Sequence, residues 1–146
     1  MQATIDHVVI WVDDQLRALD FYERVVGFAG VRAAEFRAGE APFPSVRVSE
    51  GSIIDLMAKA KAPAIDEAFK TPGASGHPVN HICVALSAVD WQALKARVEA
   101  EGGAVEPSEN SFGARGLAPE TFYFRDPDGN VVEARYYAEP ERAGSS

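Results

Sequence analysis

The chain is poor in several things, and each scarcity narrows the possibilities. It has one cysteine, Cys83, among 146 residues. An intrachain disulfide is therefore impossible, and a thiolate-rich metal cluster has no ligands. Basic residues are few, 14 against 22 acidic ones, which gives a formal net charge of -8. A surface of that sign repels nucleic acid and anionic membranes, so neither is an expected partner. No apolar run approaches the length of a membrane span. The start, with polar Gln2 and acidic Asp6, lacks the basic, apolar pattern of a secretory leader, so a cytoplasmic protein is expected. Histidine is also scarce, with three in all. Their positions therefore carry information.

What is present is a repeat. Ile5-Asp6-His7-Val8-Val9-Ile10 aligns with Val79-Asn80-His81-Ile82-Cys83-Val84. Both are short, branched, apolar runs that read as strands, with histidine in the third place. A helical pattern follows each run. In the first half it is carried by Leu16, Leu19, Tyr22, Val25 and Val26, with Asp13 or Asp14 as N-cap and Gly27 as terminator. In the second it is carried by Trp91, Leu94 and Val98, with Asp90 near the start and Gly102-Gly103 at the end. Strands are then expected at Phe28–Arg37, Ser45–Ser49 and Ser52–Ala58, and at Ala104–Pro107, Glu120–Arg125 and Asn130–Tyr136. Asp126-Pro127-Asp128-Gly129 is a strong turn signal. Each half thus reads β-α-β-β-β. Residues 59–78 read as a loop-like linker rich in Ala, Pro, Gly and Lys, and the small polar tail from Ala138 as loosely ordered.

The last strand of each half carries a carboxylate inside an apolar run: Asp55 in Ile53-Ile54-Asp55-Leu56, and Glu133 in Val131-Val132-Glu133-Ala134. Each follows its half's histidine at nearly the same interval. A carboxylate in a buried strand is costly unless it is paired or bound to a metal. A lone strand histidine is ordinarily a satisfied core or surface residue, and a lone strand carboxylate ordinarily faces solvent. Two of each, at equivalent places of a repeat, point instead to a metal site made by His7, Asp55, His81 and Glu133. That mixed N/O set suits zinc, nickel, cobalt, manganese or iron. His77 has no counterpart and reads as a loop residue.

Strand alternation places Trp11 on the face of His7, Met57 on that of Asp55, Cys83 on that of His81 and Arg135 on that of Glu133. These are candidate substrate-contacting residues. Arg135 has two readings, an anion holder or a rim salt bridge. Cys83 reads first as a small filler. The Gly113–Gly116 segment reads as a loop, either a lid over substrate or a plain connection. Phe21, Tyr22 and Trp91 read as core residues of helix faces.

With these residues in view, the chain resembles the vicinal-oxygen-chelate superfamily over about residues 4–137. That superfamily includes glyoxalase I, methylmalonyl-CoA epimerase, extradiol dioxygenases, fosfomycin-modifying enzymes and bleomycin-binding proteins. The resemblance is carried by Asp6-His7-Val8, Phe21-Tyr22-Glu23-Arg24-Val25-Val26-Gly27-Phe28, Asn80-His81-Ile82 and Phe124 through Glu133. It implies an α+β domain spanning the chain: two βαβββ modules, about 4–58 and 79–137, whose cupped mixed sheets surround one divalent metal. It also implies a homodimer, with the site made within one chain or between two. Glyoxalase I-like lyase or isomerase chemistry would then use Glu133, with Asp55 as its counterpart, to move a proton. Departures are visible. Trp11 stands where many glyoxalase I enzymes have a glutathione-binding arginine, and Lys59 where they have an asparagine. Asp55 is shorter than the usual glutamate, which leaves open direct ligation, ligation through water, or none. Tyr123 matches a substrate-contacting tyrosine of fosfomycin-modifying enzymes, while Val9 replaces their threonine. A non-haem iron dioxygenase, a fosfomycin-type thiol transferase and a metal-free, bleomycin-type binding protein are the remaining alternatives.

Overall fold

The computed structural model describes residues 5, 7–69, 79, 81–113 and 115–138. His77, the end of the expected linker and the last residues of the tail lie outside them. The described strands form two four-stranded sheets of mixed direction, ordered β1-β4-β3-β2 and β5-β8-β7-β6. The chain divides into two compact units. The described residues up to 81 together with 125–131 form one, and the described residues of 82–124 with those of 132–138 form the other.

In the first unit, β1 (His7–Val12) runs parallel to β4 (Ser52–Ala58), and β4, β3 (Ser45–Ser49) and β2 (Ala29–Val31) run antiparallel in turn. Alternation along β1 and β4 sorts the side chains. Ile10, Val12, Ile54 and Leu56 are buried on one face, beneath the helix that follows β1. That helix, α1 (Gln15–Phe21), starts at Asp14, whose carboxylate accepts the Leu16 and Arg17 amides at 3.0 and 3.1 Å. It continues as a wider π-helical turn, Tyr22–Val26, closed by Gly27 at φ 90°. Leu19, Tyr22, Val25 and Val26 are buried as expected, Ala18 is buried with them, and Leu16 is exposed. Each large side chain so covered contributes about 1.5–3 kcal/mol.

Residues 125–131 join this unit through polar contacts. Asp126, buried, accepts from the Tyr22 hydroxyl at 3.1 Å and from Asp128 N, Asn130 N and Asn130 Nδ2 at 2.9 Å each. Asp128 Oδ1 accepts from Asp13 N at 2.8 Å and Arg17 at 3.0 Å. Asn130 also donates to the Trp11 carbonyl. The turn thus does more than connect two strands: it caps the β1–α1 corner.

In the second unit, β5 (Ile82–Ala85) runs parallel to β8 (Val131–Tyr136), and β6 (Glu106–Gly113) pairs antiparallel with β7 (Gly116–Arg125). α4 (Ala88–Ala100) is capped by Ser87, which accepts the Asp90 amide. It buries Trp91, Leu94 and Val98, as their spacing requires. The Trp91 ring meets Phe122 and Tyr136 edge-on, and its indole N–H donates to the Ala134 carbonyl.

Three expectations need correction. The strand expected at Phe28–Arg37 ends at Val31. Arg32 turns the chain at φ 58°, and Ala33–Arg37 then form a short helix, α2, from residues with good helix propensity. The expected loop after β4 begins with a 3-10 turn, Lys59–Lys61, and α3 (Ala62–Phe69). Pro63 does not prevent this, because a first-turn proline gives up an amide that has no intrahelical partner. Finally, the Gly113–Gly116 segment is no long loop. Gly113 pairs with Gly116, so it is the tip of a β6–β7 hairpin.

Candidate functional site

The parallel pairing in each sheet brings the repeated residues into equivalent register. Val9 lies opposite Asp55 on β1–β4, and Cys83 lies opposite Glu133 on β5–β8. His7 is two residues before Val9, and His81 is two residues before Cys83, so each histidine lies two residues before the register partner of its half's carboxylate. In the first unit His7, Val9, Trp11, Asp55 and Met57 therefore share the face opposite the α1 core. His7 and Val9 are exposed there, and Trp11 and Met57 half-buried.

Each carboxylate is held by a hydroxyl from the neighbouring strand. Ser45, paired with Asp55 in register, donates to Asp55 Oδ1 at 2.6 Å. Thr121 Oγ1 lies 2.9 Å from both Glu133 Oε2 and the Ala134 carbonyl, and its one hydroxyl proton serves either acceptor. All four residues are buried, Asp55 at 7% exposure and Glu133 at 2%. Sequence reasoning missed Ser45 and Thr121. Their signal was faint, a small hydroxyl inside each penultimate strand.

The two carboxylates differ in their other partners. Glu133 forms a buried ion pair with Arg135, whose Nε and Nη2 reach Oε2 at 3.0 and 2.5 Å. Arg135 is thus a buried ion-pair partner rather than a rim salt bridge, and it neutralises the carboxylate two residues before it. Burial pushes the Glu133 carboxyl up, but hydrogen bonds from Arg135, Tyr123, Thr121 and Cys83 outweigh it and hold the group below the usual carboxylate range. Cys83 is exposed rather than a buried filler. Desolvation of its thiol and the charge of Glu133 push its pKa up to about 11. Tyr123 is raised by burial and by its hydrogen bond to Glu133.

Arginines stacked on aromatic rings complete both units. The Arg32 guanidinium lies 4.5 Å from the centre of the Phe43 ring and donates to Ser45 at 3.3 Å. Arg115 stacks over Tyr137 at 4.4 Å, and the Tyr137 hydroxyl accepts from Arg115 N and Arg135 Nη1.

This pattern of two sheets with matched histidines and carboxylates agrees with a family model. The glyoxalase/bleomycin resistance protein/dioxygenase superfamily model matches residues 4–134. The chain belongs to that superfamily. A virulence protein of Salmonella typhimurium is 28% identical over 134 residues, which cover 91% of this chain and 83% of that protein. An integron cassette protein from the V. cholerae mobile metagenome superposes with a TM-score of 0.69 at 25% identity, covering 94% of this chain and 98% of the other. A lactoylglutathione lyase of Agrobacterium tumefaciens, 20% identical, shares the fold with a TM-score of 0.66, over 93% and 95% of the two chains.

Members of the superfamily commonly bind a divalent metal and form dimers. The donor chemistry here fits such an ion, since two imidazoles and two carboxylates occupy matched positions. Among the described residues, however, no three His, Cys, Asp or Glu side chains are gathered tightly enough to hold one. Glu133 in particular spends its Oε2 on Arg135 and Thr121. No helix among the described residues is long and apolar enough to cross a membrane.

Proposed function

We propose that this superfamily member is a divalent-metal-dependent enzyme acting on a small oxygenated substrate, with lyase or isomerase chemistry of the glyoxalase I kind. The observation that carries the reading is the repeated register, in which a histidine and a buried, hydroxyl-held carboxylate recur at equivalent places in both sheets. His7, Asp55, His81 and Glu133 are the residues assigned to the ion. What it supplies when bound is Lewis acidity toward substrate oxygens.

The rest of the chemistry falls to the chain itself. Arg135, Tyr123 and Thr121 keep Glu133 ionised, the form that accepts a proton from a substrate carbon. Ser45 orients Asp55 in the same way within the first sheet. Trp11, Met57, Cys83, Tyr123 and Arg135 are the candidate substrate contacts. Trp11 in place of an arginine argues against a glutathione conjugate as substrate.

The test is metal content of the gently purified chain beside His7→Ala and Glu133→Gln variants, with folding followed by circular dichroism. About one transition ion per chain, lost in both folded variants, is the expected result. A second reading, a metal-free binding protein like the bleomycin-binding members, is favoured by the tight Arg135–Glu133 pair. It wins if the wild-type chain, reconstituted with zinc, nickel, cobalt, manganese or iron, retains none of them.

A further inference from the structure

The backbone at Arg32 is unusual. It is a non-glycine residue with φ 58°, in the left-handed region that bulky side chains rarely adopt, and it joins β2 to α2. Glycine suits such a position better, yet an arginine stands there, and its head group is held in place. The guanidinium carbon lies over the ring of Phe43, 4.5 Å from its centre, and Phe43 sits between Pro42 and Pro44, two residues that stiffen the segment. One of its N–H groups donates to the Ser45 hydroxyl, and that hydroxyl donates onward to Asp55. Ser45 and Asp55 are register partners, so the Arg32 head group is one hydroxyl away from the candidate ligand Asp55.

Arg32 makes no ion pair among the described residues. Arg17, Arg24 and Arg135 by contrast are each committed to a carboxylate, Asp128, Asp20 and Glu133. A guanidinium has five N–H donors, and the Ser45 contact uses one. A stacked, oriented cation with most of its fork unused is the arrangement that takes a carboxylate or phosphate in bidentate fashion.

We infer that Arg32 is the anion-binding residue of the substrate site, and that the substrate carries a carboxylate or phosphate held by Arg32 over Phe43. The inference rests on the proposed reading of the Asp55 face as the substrate face, and it narrows that reading to anionic oxygenated molecules. Ser45 then has two tasks, fixing Asp55 and setting the guanidinium. The anionic end of the substrate is anchored at Arg32 while the rest extends toward Asp55 and His7.

The test is calorimetric titration of malonate and of inorganic phosphate, at low ionic strength, into chain stripped of metal by a chelator. Wild type, Arg32→Gly and Arg32→Lys are compared. Glycine accepts the left-handed backbone, so Arg32→Gly removes the head group without straining the fold; thermal unfolding checks this. The expected result is saturable binding by wild type, weakened about tenfold or more in Arg32→Gly and by less in Arg32→Lys, which keeps the charge but loses the fork. Stronger binding of malonate identifies a carboxylate substrate, and stronger binding of phosphate a phosphorylated one. Equal binding by wild type and Arg32→Gly, or no saturable binding of either anion, overturns the inference. The metal reading stands apart: its failure appears as absent metal in the reconstituted wild type, whereas failure here appears in metal-free protein.

Discussion

Single side chains decide how this protein responds to pH. Tyr22 is fully buried, and burial, then the charge of Asp126, raise its phenol well above the ordinary value. The folded state therefore favours the neutral phenol. The stability that follows is fully present below pH ~10, the unfolded value, and is lost as pH rises through the folded one. In an alkaline spectrophotometric titration, one of the four tyrosines is expected to ionise only as the chain unfolds. Tyr22→Phe should abolish that phase and cost about 1.5 kcal/mol in urea unfolding, a modest loss because three other donors still satisfy Asp126. Cys83, with its thiol pushed up to about 11, should react with a disulfide reagent at pH 8 far more slowly than a free thiol. Rapid reaction there would contradict the contact with Glu133. Arg135→Met should destabilise the chain by about 3–5 kcal/mol, because it leaves the Glu133 carboxylate buried without its cation.

At the level of elements, caps and registers matter more than propensity. Asp14 holds two amides at the start of α1, so Asp14→Ala should cost about 1 kcal/mol in denaturant unfolding. Removal of the Thr121 hydroxyl is a sharper test of the hydroxyl–carboxylate device. Thr121→Val keeps the shape but removes a donor from Glu133, while the Ala134 carbonyl keeps the Trp91 indole N–H. A loss of about 1–2 kcal/mol is expected, with Thr121→Ser recovering most of it. If valine were tolerated at no cost, the hydroxyl would have no part in holding Glu133. The helix starts, the helix faces and the Asp126–Gly129 turn were readable from local pattern, because caps and 3.6-residue spacing are local. The end of β2 and the helix α3 were not. The first depends on a left-handed residue, Arg32, that sequence statistics discourage. The second uses alanines that suit loop and helix alike.

For the molecule as a whole, a bound ion must appear in the energetics if the four candidate ligands hold it. Metal at about a hundredfold excess over its dissociation constant should stabilise the fold by about 2.7 kcal/mol, read as a rise in melting temperature that a chelator reverses. The same titration on Glu133→Gln should show little of that rise. A melting temperature unmoved by zinc, nickel, cobalt, manganese or iron would remove the metal from the reading and leave a binding protein of the same fold. The superfamily was legible at this scale because the repeat of histidine and carboxylate survives in one chain as two written copies.

By itself, the amino-acid sequence determined the two β-α-β-β-β halves, the core faces of α1 and α4, and the matched places of His7, Asp55, His81 and Glu133. Each of these follows from periodicity or local chemistry, which need no knowledge of what lies across space. Only the tertiary structure decided the partners of the carboxylates. Ser45 lies on a strand that runs antiparallel beside Asp55, and Thr121 reaches Glu133 from β7. Arg32 reaches Ser45 across a turn. Hydrogen bonds between strands depend on register, and register is set by the packing of the whole sheet, which no single stretch of chain records.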